Sequence, residues 1–363
     1  MGKKIVFILL GTNVQRANKR VAELIEAGFD VEAYSFVRKD DSREVKRPYK
    51  INVLGTIKNG SYLSRVWLYI KSFRALANKY KADRENTIFY LDGFATAFFF
   101  HYVNPGCKYV YEEADMKHTN TRFSGILEKI DRRIIRNSLL SVFTSEGFLQ
   151  YHFGGEVPEN VCLVTNRLNK KILDLPKVEK KALDMRHLSF GFVGGPRYDS
   201  VYNFIDVFCR KYPQHTFHIF GGPITPQFET LKKYNNCILH GFFNNPDALP
   251  EIYSQIDVVL CTYDIKLENV RYAEPNKIYE AMYFDTPIVV SKGTFLAEKV
   301  SRLGIGYDVD ALDDSAVCSF IDNLTADSLQ QKVSACNSID KKECINENKE
   351  LIEKLKKIFE RVC

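Results

Sequence analysis

Short apolar runs alternate with amphipathic stretches along most of the chain. Residues 4–10 form an apolar run that predicts a buried strand, and residues 31–36 form a second one. Between them Ala17, Val21 and Leu24 recur at helical spacing, and Gly28 suits the end of a helix. A strand, a helix and a second strand in this order predict a parallel pair, so the chain begins as an α/β protein.

The same alternation continues and divides the chain into two series. Further strands are predicted at 87–91, 108–112, 139–144 and 161–165 in the first series, and at 187–193, 216–220, 237–242, 257–261 and 288–290 in the second. Residues 167–186 between the series are rich in lysine and interrupted by Pro176, as is typical of a linker. We therefore expect one Rossmann-like domain over 1–166, a linker over 167–186 and a second Rossmann-like domain over 187–340.

The tail carries a different pattern. Residues 341–363 are highly charged, and Leu351, Leu355 and Ile358 recur on one side of a helical projection. This pattern predicts a last helix with one apolar face that packs on another part of the protein.

Composition narrows the class of protein. The 363 residues are 45% hydrophobic and 26% charged, as in an ordinary globular protein, and the chain is long enough for two cores. The nine cysteines include no Cys-x-x-Cys pair, which favours a reducing compartment and argues against a zinc site. We find neither a signal peptide nor an apolar run of 18 residues, so we expect a cytoplasmic protein.

Positive charge is concentrated in the first half. The formal net charge is +6, and residues 1–166 carry 25 basic and 18 acidic residues. Within 61–81, Trp67 and other apolar residues are interleaved with Arg and Lys, which predicts a basic amphipathic helix able to lie on an anionic membrane. The alternative is a surface helix whose apolar stripe packs on its own sheet. No nucleic-acid fold signature accompanies the charge, so we expect no nucleic-acid partner.

Residues 274–291 carry the clearest candidate chemistry. Pro275 suits a first helical turn, and an apolar face followed by the run 288–290 predicts a short helix and a buried strand. The start of this helix can hold an anion, Lys277 adds positive charge, and Glu280 lies one turn further on, where its carboxylate could accept hydrogen bonds from sugar hydroxyls. The pattern indicates a nucleotide site. The alternative is a structural helix with both charges in water.

Two other groups of residues follow predicted strands. In the second series, glycines that would let the backbone approach a diphosphate lie at the strand ends, together with one arginine and one phenylalanine. These residues are Gly194, Gly195, Arg197, Gly222, Gly241 and Phe242. In the first series, polar residues follow strand ends where open α/β sheets bind ligands: Gly11, Thr12, Asn13, Arg16, Glu113, Asp115 and His118.

The stretch 274–291 resembles the nucleotide-sugar signature of retaining GT-B glycosyltransferases, the family 4 (group 1) enzymes, in its variant Pro-Asn-Lys-x-Tyr-Glu. The resemblance runs through Pro275, Asn276, Lys277, Tyr279, Glu280, Met282 and Pro287. Two positions depart from the family pattern: Tyr272 stands where a second Glu is usual, and Ala114 stands where a His is usual.

The resemblance implies an α/β GT-B fold, in which two Rossmann-like domains face each other across a cleft and the last helix returns to the first domain. It implies transfer of a sugar, with retention, from a UDP- or GDP-sugar to a lipid-linked or growing surface glycan in bacterial polysaccharide synthesis, on the cytoplasmic face of the membrane. No metal and no cofactor besides the donor are implied. The implied catalytic residues are Arg197, Lys277 and Glu280. The implied donor-binding residues are Gly194, Gly195, Gly222, Gly241, Phe242, Glu274, Pro275 and Asn276, and the strand-end residues of the first series would face the acceptor.

Two other functions are compatible with the same residues. A sugar-nucleotide epimerase on this fold would use acid/base residues such as those between Glu112 and His118. A catalytically silent subunit of a glycan-assembly complex would bind membrane and partner enzymes without transferring a sugar.

Overall fold

The computed structural model describes residues 3–38, 47–57, 62–346 and 348–362. Ser61, the first residue of the predicted basic helix 61–81, and Cys363, the last residue of the predicted tail 341–363, lie outside these ranges. The chain forms two compact units. The first contains residues 1–164 and 348–363, and the second contains residues 165–347.

The first unit is built on a seven-stranded parallel sheet in the order β3-β2-β1-β4-β5-β6-β7. Its elements before the second unit are β1 (Lys4–Leu9), α1 (Gln15–Glu26), β2 (Asp30–Arg38), β3 (Ile51–Ile57), α2 (Tyr62–Lys79), β4 (Thr87–Asp92), α3 (Phe94–Val103), β5 (Tyr109–Glu113), α4 (Ser124–Asn137), β6 (Leu140–Phe143), α5 (Glu146–Phe153) and β7 (Val161–Leu163), with short 3₁₀ helices at Lys81–Asp83 and Lys117–Asn120.

The second unit is built on a six-stranded parallel sheet in the order β10-β9-β8-β11-β12-β13. Its elements are β8 (Ser189–Val193), α6 (Asp199–Lys211), β9 (Thr216–Phe220), α7 (Pro226–Glu229), β10 (Cys237–Gly241), α8 (Leu249–Ser254), β11 (Val258–Cys261), α9 (Glu268–Tyr272), α10 (Lys277–Tyr283), β12 (Ile288–Ser291), α11 (Phe295–Leu303), β13 (Gly306–Val309), α12 (Asp314–Asp322) and α13 (Ala326–Ser338), with 3₁₀ helices at Lys170–Asp174, Thr230–Lys233 and Lys341–Cys344.

The sheet of the second unit is buried on both faces, as its apolar strands predict. In β12, Ile288 and Val290 join one hydrophobic cluster and Val289 joins the other. Successive side chains of a strand point to opposite faces, so an uninterrupted apolar run requires cover on each side. The α/β prediction is confirmed.

The residues between the two predicted domains pack on the second unit. Leu168 pairs with Ile345 through an isolated parallel bridge, and Ile172 is buried in the core of this unit. Lys180 donates a hydrogen bond to the hydroxyl of Thr286. The lysine-rich composition therefore belongs to a packed segment whose charges lie mostly at its surface.

The last helix, α14 (Lys349–Val362), belongs to the first unit. Leu351, Leu355 and Phe359 are fully buried in the core of that unit, and the Phe359 ring lies 5.8 Å from the ring of Phe29. Lys354 donates a hydrogen bond of 2.6 Å to the carbonyl of Val161 at the start of β7. The apolar stripe of the tail is thus the face that covers the first sheet.

Candidate functional site

Lys277 lies in the interior of the second unit at the start of α10. Its side chain is 7% exposed and passes between the rings of Phe192 and Tyr263, with Nζ 5.0 and 5.7 Å from the two ring centres. Nζ donates a hydrogen bond of 3.1 Å to the hydroxyl of Tyr263. The apolar stem is buried among aromatic rings while the ammonium group points toward the end of β8.

Gly194, at the end of β8, receives this ammonium group. A Cβ built on Gly194 would lie 3.2 Å from Lys277 Nζ, so the charge sits directly beside the Gly194 backbone. The φ angle of Gly194 is 135°, a backbone conformation that other residues rarely adopt. The structure therefore brings together two predicted residues that are far apart in the sequence.

The ends of three neighbouring strands meet at this point. Gly194 donates a backbone hydrogen bond of 2.7 Å to Phe220, and Gly221 donates one of 2.7 Å to Gly241. A Cβ on Gly221 would lie 2.4 Å from the carbonyl oxygen of Gly194, so only glycine fits there. The predicted donor residues Gly194, Gly195, Gly222, Gly241 and Phe242 belong to these three strand ends, and Phe242 exposes 69% of its surface.

Arg197 is exposed and is connected to Lys277 through the side chains of two tyrosines, Tyr198 and Tyr263. Its guanidinium lies over the ring of Tyr198, 5.1 Å from the ring centre, and donates a 3.1 Å hydrogen bond to the Tyr198 hydroxyl. The Tyr198 ring lies 4.7 Å from the ring of Tyr263, which also contacts Lys277. Two cations and the strand-end glycines thus form a surface suited to a polyanion such as a diphosphate.

Glu280 is buried rather than presented to solvent. It is 2% exposed, and its two carboxylate oxygens accept hydrogen bonds of 2.7 Å from the Tyr253 hydroxyl and 2.8 Å from the Asn276 amide. Burial raises the pKa of Glu280, although Lys277 and Tyr253 oppose this effect. Each oxygen can accept a second hydrogen bond, so recognition of sugar hydroxyls by Glu280 stays a prediction.

Glu274 is occupied by an internal ion pair. Its carboxylate accepts a hydrogen bond of 2.8 Å from Lys299 Nζ and a second from the Tyr279 hydroxyl, and its side chain is fully buried. The sequence predicted site roles for Glu274 and Glu280 without revealing their distant partners, Lys299 for Glu274 and Tyr253 for Glu280, because neither partner follows a local pattern. In the structure Glu274 anchors the segment that carries Pro275 at the start of α10.

Arg16 closes a buried network in the first unit. Its guanidinium donates hydrogen bonds to Glu112 and, at 2.7 Å, to Asp92. Arg20 binds the other oxygen of Glu112 at 3.1 Å, and Tyr90 also donates to this carboxylate. Burial by itself raises the pKa of Glu112, but Arg20 and Arg16 outweigh it and bring the pKa to about 2. Arg16 therefore has two carboxylate partners at the strand ends.

The loop between β1 and α1 is held by side chains of its own unit. The Thr12 carbonyl accepts hydrogen bonds of 2.7 Å from Arg47 and 2.9 Å from Asn18, and Arg47 also contacts Asn13 at 3.1 Å. Gly11 begins this loop and is half-buried. The loop lies at the carboxyl end of β1, where a ligand of this sheet would bind.

The three predicted acceptor residues at and after the end of β5 do not share one environment. Glu113 and His118 are buried, and His118 packs on the ring of Phe94 with 4.6 Å between ring centres, whereas Asp115 is exposed. As the structure places them, only Asp115 of the three can meet an acceptor at the surface. The prediction for Glu113 and His118 is corrected, because both side chains are buried: Glu113 lies against His152 of α5, and His118 lies between Phe94 of α3 and Asp131 of α4.

Comparison with known proteins agrees with this geometry. Residues 187–327 match the family model described as glycosyl transferases group 1. This part of the chain is therefore similar in sequence to the group 1 glycosyltransferases. It contains Lys277, Arg197 and all of the strand-end glycines described above. No curated protein sequence matches the chain significantly.

Comparison with solved structures shows that the chain has the GT-B fold. Sucrose-phosphate synthase from Thermosynechococcus elongatus is similar with a TM-score of 0.65 and 14% identity, over 99% of this chain and 96% of the other. Anabaena HepE in complex with UDP and glucose has a TM-score of 0.63 and 13% identity, over 100% and 98%. WaaG, a glycosyltransferase involved in lipopolysaccharide biosynthesis, has a TM-score of 0.62 and 13% identity, over 99% of each chain.

Proposed function

We propose that the protein transfers a sugar from a UDP- or GDP-sugar to a lipid-linked or growing surface glycan, with retention of configuration, in bacterial polysaccharide synthesis. The observation that carries the proposal is the contact between the Lys277 ammonium group and Gly194 at the end of β8. A buried cation beside a glycine backbone at a strand end suits a bound diphosphate better than it suits a purely structural role. The group 1 family match of residues 187–327 supports the same conclusion.

In this proposal the second unit stabilises the departing nucleoside diphosphate. Lys277 and Arg197 would neutralise charge that develops on the leaving oxygens, while the backbone N–H of Gly195 would donate to the same phosphates. The acceptor hydroxyl would attack from the face of the leaving group, so we assign no protein nucleophile. Glu280 would accept hydrogen bonds from the ribose beside its existing partners, Tyr253 and Asn276.

Helix α2 supports a membrane-bound acceptor. Tyr62, Leu63 and Trp67 expose 80%, 85% and 63% of their surface on this helix. Lys71 lies 5.1 Å from the centre of the Trp67 ring, and Arg65 lies 5.8 Å from the centre of the Tyr62 ring. Exposed aromatic residues flanked by cations suit the headgroup region of an anionic bilayer. Among the helices within the described ranges, none is long and apolar enough to cross a membrane.

The first experiment is a calorimetric and thermal-shift titration of the protein with UDP, GDP, ADP and CDP. We expect one of the first two to bind and to raise the midpoint of unfolding, because a ligand that binds only the folded state stabilises it. Lys277→Met and Glu280→Gln should weaken that binding. Lys211→Met, which removes a cation at the exposed end of α6, is the matched control.

Donor turnover distinguishes the alternatives. A transferase consumes the matching nucleotide sugar only when an acceptor glycan is present, apart from slow hydrolysis. For a transferase, the NMR signal of the anomeric proton in the product then reports whether the configuration is retained or inverted. An epimerase would convert the donor into its isomer without an acceptor. If none of the four diphosphates binds, the silent-subunit hypothesis replaces the transferase.

A further inference from the structure

A second cluster of chemically reactive side chains lies inside the first unit. Four elements each contribute one residue: Glu113 ends β5, His118 lies in the 3₁₀ helix Lys117–Asn120, Asp131 lies in α4 and His152 lies in α5. None of the four side chains is more than 1% exposed. The cluster is separate from the nucleotide site proposed above, which lies in the second unit.

The separations between Glu113, Asp131 and His152 resemble those of ligands around one ion, and His118 approaches this group at Asp131. His152 Nε2 lies 2.9 Å from Glu113 Oε2 and 3.6 Å from Asp131 Oδ2, and His118 Nε2 lies 3.8 Å from the same Asp131 oxygen. The last two distances are too long for hydrogen bonds. Two ligands of a tetrahedral zinc ion, each about 2.0–2.1 Å from the metal, lie about 3.3 Å apart.

Several polar atoms of the cluster have no hydrogen-bond partner within the part of the chain that the structure describes. These buried atoms are Glu113 Oε1, Asp131 Oδ2, His152 Nδ1 and both ring nitrogens of His118. The other Asp131 oxygen accepts a hydrogen bond of 2.9 Å from Tyr111. Buried polar atoms normally have hydrogen-bond partners, so such a concentration calls for a ligand.

The charge balance also favours a cation. Glu113 and Asp131 place two carboxyl groups beside the His152 ring in the interior of the first unit. A divalent ion would balance two ionised carboxylates in this interior, where the same carboxylates would otherwise repel each other.

We propose that Glu113, Asp131, His118 and His152 bind one divalent transition-metal ion, with zinc as the best fit. Two imidazole nitrogens and two carboxylate oxygens complete a tetrahedral set, and such closed sites are structural rather than catalytic. The ligand atoms of Glu113, Asp131 and His152 already lie within 4.8 Å of one another. The ion would hold the segment after β5 against α4 and α5, next to Glu112 and its arginines.

The test is metal binding by the full chain after removal of any affinity tag and of bound metal. We expect one equivalent of Zn²⁺ with a dissociation constant below about 1 µM, and a higher midpoint of thermal unfolding with the metal than with a chelator. With Co²⁺, the absorption spectrum should show tetrahedral nitrogen and oxygen ligation without a thiolate charge-transfer band.

Variants assign the binding to the cluster. Asp131→Asn keeps the hydrogen bond from Tyr111 and should weaken Zn²⁺ binding at least about 10- to 100-fold, and His152→Gln should do the same. His101→Gln is the matched control, because His101 lies in α3 of the same unit and its Nδ1 is 3.0 Å from the hydroxyl of Tyr109. This control should bind Zn²⁺ as the wild type does.

Three outcomes would overturn the proposal. One is wild-type protein that takes up none of Zn²⁺, Co²⁺ and Mn²⁺ in the micromolar range. A second is binding that survives in both cluster variants. A third is a cobalt spectrum dominated by thiolate ligation, which would assign the ion to cysteines. If a variant fails to fold, the stoichiometry and cobalt spectrum of the wild type still decide the question.

Discussion

Replacing Lys277 by methionine tests the proposed diphosphate site most directly. Methionine is unbranched and similar in length, so it can occupy the space between the rings of Phe192 and Tyr263 that the lysine stem fills now. The substitution removes the ammonium group beside Gly194 and leaves the packing of α10 largely intact. Any loss of ligand binding is then due to the charge.

The expected magnitude follows from the geometry. A hydrogen bond between a charged group and a phosphate contributes about 1.5–3 kcal/mol, which corresponds to a rise of about 10- to 100-fold in the dissociation constant. A ligand at 100 times its dissociation constant stabilises the wild type by about 2.7 kcal/mol, whereas a variant weakened 100-fold gains only about 0.4 kcal/mol. The midpoint of unfolding should therefore rise by roughly 5–10 °C in the wild type and by about 1 °C in the variant.

The assay combines isothermal titration calorimetry with thermal unfolding, each with and without the nucleoside diphosphate. Without ligand, the free energy of unfolding of Lys277→Met should stay within about 1.5 kcal/mol of the wild type, since the exchange conserves volume. Lys211→Met should behave as the wild type in both measurements, because Lys211 is exposed at the end of α6. A folded Lys277→Met protein with wild-type affinity would refute the assignment of this lysine to the phosphates.

Three further predictions concern stability and membrane binding. Glu112→Gln removes the buried carboxylate that Arg16 and Arg20 share and leaves them only Asp92 and Glu23, so we expect urea unfolding to show a loss of about 3–5 kcal/mol. The arginines lower the pKa of Glu112 from 4.5 to about 2, so the stabilisation of the fold by the ionised Glu112 is complete above pH 4.5 and is lost as the pH falls toward 2. The Glu112→Gln variant should lack this part of the acid unfolding transition. Gly221→Ala should lower the free energy of unfolding of the second unit by at least about 2 kcal/mol, and Gly293→Ala should lower it less. Both glycines have a positive φ, but only at Gly221 would the added Cβ clash with another residue, the carbonyl of Gly194, so equal losses in the two variants would contradict the clash. Trp67→Ala should reduce sedimentation with anionic vesicles and leave diphosphate affinity unchanged, and undiminished sedimentation would contradict a role for this face of α2.

Local patterns in the sequence were sufficient for the fold class and for the main elements of the site. The apolar runs in β1 and β12 are buried on both faces of parallel sheets, as an uninterrupted run requires. Of the four edge strands, β7 and β10 were predicted and β3 and β13 were not, because polar or glycine residues such as Asn52 and Gly306 interrupt the apolar pattern of these two.

The sequence by itself determined that this is a parallel α/β protein in which Lys277 and Glu280 lie on one short helix, because helical and strand periodicity are properties of neighbouring residues. Only the tertiary structure decided which residues surround them. It brought Lys277 to Gly194, paired Glu280 with Tyr253 and Glu274 with Lys299, and buried Glu113 and His118 behind β5. Such contacts join residues that are distant along the chain, and they depend on how strands and helices pack rather than on any spacing in the sequence.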